Sequence, residues 1–163
     1  MRGFEKISYK EFEKNFNNAK EMYSDYKLPS RKTSSSAGYD FMAVEDFTIL
    51  PNEIIKVKTG IKAWMQCDEV LNIYIRSSLG FKYNIRLCNQ VGVIDSDYYN
   101  NPDNEGHIFI ALQNEGDKEL IVKKGEGFAQ GVFSKYLVGN DVVDTKRIGG
   151  IGSTNERNKK NEK

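Results

Sequence analysis

Asp95 and Asp97 stand two residues apart at the end of an apolar run, Val91 to Ile94, and are followed by Tyr98 and Tyr99. In an extended chain alternate residues share a face, so both carboxylates point one way and Ile94 the other. A strand that buries one side and ends in acid and tyrosine suits a small-molecule site. Taken alone, Asp-Ser-Asp after a strand is more often a turn or a helix cap.

Two further stretches suit phosphate. Arg76-Ser77-Ser78-Leu79-Gly80 offers a guanidinium fork, two hydroxyls and accessible backbone N–H groups. Arg147 precedes Gly149-Gly150-Ile151-Gly152-Ser153-Thr154, where glycines let the backbone approach an anion and the hydroxyls of Ser153 and Thr154 add donors. This is not a P-loop, because no lysine follows the glycines and no helix is expected after them. Gln130 is an amide inside the apolar run Phe128 to Val132. Each has an ordinary reading as well: a common loop, a flexible linker, a solvent-facing glutamine. Together they imply a phosphorylated ligand accompanied by a metal ion. Mg2+ held through waters and phosphates fits a chain with one histidine, two cysteines and no Cys-x-x-Cys pair.

The elements that must position these groups follow from the patterning. The 163 residues fit one ordinary domain with a single core. A net charge of +1 supplies no field for nucleic acid or an anionic membrane, and no apolar run is long enough to span a bilayer. The first residues lack the apolar stretch of a secretory signal, and Cys67 and Cys88 read as buried small residues of a cytoplasmic protein.

Residues 8–24 read as an amphipathic helix: Ser8 caps it, and Tyr9, Phe12, Phe16, Ala19 and Tyr23 share a face. Pro29 ends it. From there to Phe133 come short strands with turns between: 47–50, 54–58, 61–65, 70–75, 85–88, 91–94, 107–112, 120–122 and 128–133. Many short strands and little helix indicate a mainly β sandwich, jelly roll or barrel. The expected divisions are an N-terminal helical extension over 1–27, a β domain over 28–144, and a glycine-rich arm with a disordered tail over 145–163.

These pieces, in this order, resemble the five motifs of the dUTPase family, the homotrimeric deoxyuridine triphosphate nucleotidohydrolases. Ala37-Gly38-Tyr39-Asp40-Phe41-Met42-Ala43 is similar to the first motif and Arg76-Ser77-Ser78 through Lys82 to the second. Asn89 with Gly92-Val93-Ile94-Asp95-Ser96-Asp97-Tyr98 is similar to the third, Phe128-Ala129-Gln130 to the fourth, and Arg147 with Gly149 to Thr154 to the fifth.

The resemblance implies a jelly-roll-like subunit, a homotrimer with shared active sites, and hydrolysis of dUTP to dUMP and pyrophosphate with Mg2+. It implies that Asp95 orients a water against the α-phosphorus and accepts from the sugar 3′-OH, and that Tyr98 lies against the deoxyribose. Asn89 and backbone near Val93, Ile94 and Phe109 would read the uracil. Arg76, Ser77, Ser78 and Gln130 would hold phosphates, and Asp40 would meet the metal through water. Arg147, Gly152, Ser153 and Thr154 would cover the terminal phosphate, with the arm of one subunit closing over the site of another.

Some positions depart from the family pattern. Ile151 stands where a phenylalanine usually stacks on the base, Asn100 to Glu105 lengthen the hairpin after Tyr99, Gly127 replaces the usual arginine, and Lys146 competes with Arg147 for the fifth-motif role. The same scaffold in a dCTP deaminase, or in a nucleotide-gated regulatory protein with a protein partner, are the alternatives. The first would need a catalytic glutamate where Tyr98 stands.

Overall fold

Alternation of apolar and polar residues fixes which face of each strand is buried, and the buried faces decide how the strands pair. The computed structural model describes residues 1–141, 143, 147, 149 and 150. Its elements in chain order are β1 (Gly3–Lys6), α1 (Tyr9–Asn15), α2 (Ala19–Met22), β2 (Tyr39–Met42), β3 (Phe47–Ile49), β4 (Ile54–Lys58), β5 (Ile61–Trp64) and β6 (Glu69–Ile75). There follow α3 (Ser77–Tyr83), β7 (Ile85–Leu87), β8 (Gly92–Asp95), a 3-10 turn (Ser96–Tyr98), β9 (Phe109–Asn114), β10 (Leu120–Val122) and β11 (Gly127–Lys135).

All pairings among the described strands are antiparallel. The largest sheet has the order β2–β11–β6–β8, and the next β4–β9–β7; β1 pairs with β5 and β10 with β3. The architecture is jelly-roll-like, and the described strands form no closed barrel. The inward faces meet in a core of Phe41, Ile49, Leu71, Ile73, Ile85, Leu112 and Phe128.

The N-terminal residues differ from their sequence reading. The helix expected over 8–24 is two short helices. Ser8 does cap α1, accepting from the Glu11 N–H, but Phe16 is extended (φ −128°) and closes it. The Asn15 amide donates to the Glu11 carbonyl at 2.8 Å, and Asn17 and Asn18 follow; such side chains offer the backbone non-helical partners. Residues 3–6, given no strand from sequence, pair antiparallel with β5. Arg2 bonds Glu69 with both nitrogens of its fork side, which holds the Glu69 carboxyl down at about 2 against the opposing effect of burial.

Phe12 is fully buried and stacks between Phe16 and Tyr26, with ring centroids at 4.1 and 5.0 Å. Gly60, at φ +69°, lies so close that a Cβ there would sit 3.1 Å from the Phe12 ring. The extension is therefore part of the core. Phe12→Ala is expected to cost about 3–5 kcal/mol of stability, read as a lowered urea midpoint at unchanged slope.

Candidate functional site

β8 brings Asp95 alongside β6, and Gly92 lets the two strands lie close: a Cβ on Gly92 would come 3.1 Å from Ile73 Cβ. The strand ends at Asp95, the chain turns through Ser96–Tyr98, and Asp95 and Asp97 both reach one guanidinium. Arg147 Nη2 donates to Asp95 Oδ2 at 2.6 Å and its Nε to Asp97 Oδ1 at 2.8 Å. Strand alternation does not extend to Asp97, which lies in the 3-10 turn; the turn brings its carboxylate to the guanidinium that also holds Asp95. The guanidinium also lies 5.7 Å from the Tyr98 ring centroid.

Of these groups Asp95, Tyr98 and Arg147 line one cavity of about 450 Å³. Asn89, Val93, Ile94, Asp95, Tyr98, Phe109 and Arg147 all border it. Phe109 is there despite the longer hairpin, because β9 keeps its register on β4 with Phe109 opposite Lys58. Tyr98 is buried, and its hydroxyl donates to the His107 carbonyl and accepts from Asn104 Nδ2, both at 2.9 Å. Burial raises the Tyr98 phenol above its ordinary range.

A second cluster gathers at the other end of β6. Register places Asp40 on β2 opposite Gln130 on β11, and Arg76 follows the last residue of β6. Arg76 donates to the Gly127 carbonyl at 3.0 Å and its Nε lies 3.5 Å from Asp40 Oδ1. Gly127 makes that possible, since a Cβ there would come 2.8 Å from Arg76 Nη1. Gln130 donates to the Ile75 carbonyl at 3.3 Å rather than facing solvent alone. Ser77 and Ser78 are exposed on the first turn of α3, a helix that reads as loop in the sequence. Asp40 is buried, and its Oδ2 has no hydrogen-bond partner.

The clusters do not meet within one chain. Asp95 pairs with Val70 at the start of β6, and Arg76 lies six residues on. At about 3.3 Å per strand residue they are about 20 Å apart, farther than the phosphate chain of a nucleotide reaches from its sugar. Ile151, Gly152, Ser153, Thr154 and Lys146 lie outside the described residues.

Other residues of the cavity carry no motif signal. Lys56 lines it and places its Nζ 4.4 Å from the Phe109 ring centroid; the period of two along β4, opposite Ala111, is the signal that would have shown it. Cys88 lines it as well. Both cysteines are exposed, which corrects the expectation of buried thiols: Cys88 follows the end of β7 and Cys67 lies in the turn before β6, outside the core faces. Among the described residues no group of three or more His, Cys, Asp or Glu side chains is placed to hold a metal, and no helix is long and apolar enough to cross a membrane.

His107, behind the cavity, is fully buried against Phe109 (centroids 4.1 Å), and its Nε2 accepts from the Gly60 N–H at 3.0 Å. Burial, aided by Lys56 and Lys58, pushes it down to about 4. An unfolded histidine takes a proton near about 6.5, so the unfolded state binds more protons between about 6.5 and 4. Stability is therefore complete above that window and falls as pH drops through it, by about 3 kcal/mol at its lower end. As the chain has one histidine, its single imidazole resonance is expected to titrate near 4 in the folded protein, with the urea midpoint falling over the same window.

The fold and cavity define a jelly-roll-like β protein with a carboxylate-and-tyrosine pocket at one end of a sheet and an arginine–hydroxyl cluster at the other. The family model for dUTPase matches residues 24–155, and the chain belongs to the dUTPase family. It is 49% identical over 130 residues to a deoxyuridine 5′-triphosphate nucleotidohydrolase of Lactococcus lactis, covering 78% of this chain and 87% of that one. Identity to the protein of the same name from Desulfitobacterium hafniense is 37% over 137 residues, with the same coverages. The crystal structure of the dUTPase from Streptococcus mutans matches with a TM-score of 0.69 at 41% identity, over 85% of this chain and 99% of that one. A variant of the dUTPase from phage phi11 of S. aureus, described with a structural Mg(II) ion, matches with a TM-score of 0.66 at 16% identity, over 90% of this chain and 97% of that one, and shares the fold.

Proposed function

We propose that this chain hydrolyses dUTP to dUMP and pyrophosphate, in the cytoplasm, as a homotrimer whose sites are shared between copies. The observation that carries the reading is the cavity at the end of β8, which brings Asn89, Asp95, Tyr98 and Phe109 together.

In this reading the uracil edge meets the Asn89 amide and backbone at Val93, Ile94 and Phe109, and the deoxyribose lies against Tyr98. Asp95 accepts from the 3′-OH and from a water, orients that water against the α-phosphorus, and takes its proton as the bond to phosphorus forms. Carboxylates are weak bases, so most of the acceleration comes from positioning, worth up to about 7–11 kcal/mol. The leaving pyrophosphate is held by Arg76, Ser77, Ser78 and Gln130. Their separation from Asp95 along β6 supports a donor from a second copy.

Arg147 bridges Asp95 and Asp97. A triphosphate offers the guanidinium stronger acceptors, and in exchanging partners Arg147 would free Asp95 for water. Gly152, Ser153 and Thr154 would follow it over the terminal phosphate, with Ile151 above the base. Mg2+ fits the site as a phosphate-bound ion carrying its own waters: Asp40 presents a buried Oδ2 without a partner, an acceptor that a metal-bound water would satisfy. When bound, the ion withdraws charge from the departing pyrophosphate.

Purified protein with Mg2+ is expected to release pyrophosphate and dUMP from dUTP, with dCTP, dTTP and UTP turned over at least about 100-fold more slowly. No pyrophosphate from dUTP would remove the reading, and ammonia from dCTP would replace it with a deaminase.

A further inference from the structure

We propose that Asn104, in the segment that lengthens the hairpin after Tyr99, is a positioning residue for Tyr98 and through it sets the preference for a deoxyribonucleotide over a ribonucleotide. This rests on the reading of Tyr98 as the wall against the sugar.

The Tyr98 hydroxyl is held from two sides. It donates to the His107 carbonyl, and its lone pair accepts from Asn104 Nδ2. One bond alone leaves the phenol a pivot; two fix the far end of the ring. Asn104 is itself fixed, since its Oδ1 accepts from the Gly106 N–H at 3.0 Å and from Asn101 Nδ2 at 2.8 Å. Asn101 in turn donates to the Tyr98 carbonyl and accepts from the Asp103 and Asn104 N–H groups.

The loop that carries Asn104 is built rather than slack. Asn100, Glu105 and Gly106 take left-handed backbone (φ 55°, 59° and 84°), which ordinary side chains adopt only under constraint. The constraint comes from the N-terminal extension and β5. Glu105 accepts from the Ser8 N–H at 2.9 Å, Tyr99 donates to Glu5 at 2.7 Å, and Lys62 donates to Asn100 at 2.7 Å. Gly150 packs on the same loop, its N–H on Asp103 Oδ2 at 3.3 Å, where a Cβ would come 3.1 Å from Asn104 Nδ2. The N-terminal segment, β5 and Gly150 thus hold the loop through Glu105, Tyr99, Asn100 and Asp103, and the loop holds the phenol through Asn104. A sugar wall that excludes a 2′-OH works only if the ring cannot recede, and Asn104 is what stops it.

The test compares kcat/KM for dUTP and UTP on the same sample, a ratio that does not depend on how much of the sample is folded. Asn104→Ala is expected to lower the dUTP preference at least about tenfold, mainly because UTP gains and with kcat for dUTP little changed. Asn104→Asp keeps the acceptor for Gly106 and Asn101 but can only accept from the phenol, whose single proton then serves either that carboxylate or the His107 carbonyl and not both, so the ratio should shift in the same direction. Tyr98→Phe, which removes the hydroxyl but leaves the bonds of Asn104 Oδ1 to Gly106 and Asn101 in place, should shift it alike, and in that background neither Asn104 variant should move it further. An unchanged ratio in Tyr98→Phe or in the Asn104 variants overturns the proposal, as does an Asn104 effect that persists in Tyr98→Phe. A wild type inert toward dUTP would instead remove the functional reading on which it rests.

Discussion

Asp95→Asn is expected to lower kcat for dUTP by about 10²–10⁴-fold, the range for loss of a positioned acid–base group. The amide keeps the shape of the carboxylate and can still accept from a sugar hydroxyl, so KM should change little. It cannot take the water's proton. The fold should survive, because the Asp95 carboxylate is about half exposed (52%) and its pair with Arg147 is of the surface kind, worth about 0–1 kcal/mol. An unchanged thermal midpoint beside a collapsed kcat is the expected pattern. A variant that keeps more than about a tenth of the wild-type kcat would take Asp95 out of the chemical step.

Arg76→Ala is expected to be comparably inactive, by about 10²-fold or more, since charge-assisted hydrogen bonds are worth about 1.5–3 kcal/mol each and the fork makes two to a phosphate. The larger consequence appears on mixing. If Asp95 and Arg76 of one chain serve different sites, subunits of Asp95→Asn and Arg76→Ala refolded together will form sites with both groups intact. Random assembly makes about one site in four whole, so two dead parents should yield about a quarter of the wild-type rate. Within one chain the two groups lie at opposite ends of β6, Asp95 beside Val70 and Arg76 after Ile75. A mixture as inactive as its parents would mean that each site is served by one chain.

The sequence by itself determined the strands and the chemistry each could carry. Nearly every strand between 47 and 133 lies within a residue or two of its expected place, because alternation and turn residues are local signals. Asp95 and Asp97 share a guanidinium through the 3-10 turn at Ser96–Tyr98, not through the strand alternation that their spacing suggests. Local signals also misled. The spacing of Phe12, Phe16 and Tyr23 suits one helix, yet the asparagines at 15, 17 and 18 break it, and both cysteines proved exposed.

Tertiary structure alone decided which motifs meet. Asp40 and Gln130 are ninety residues apart and become neighbours only through the β2–β11 register; Lys56 enters the cavity only because β4 lies along β9. Register is set by long-range burial of whole faces, which no local window contains. The β6–β8 register places Asp95 beside Val70 while Arg76 follows Ile75, so the chain reads as one set of motifs in sequence and as two clusters in space.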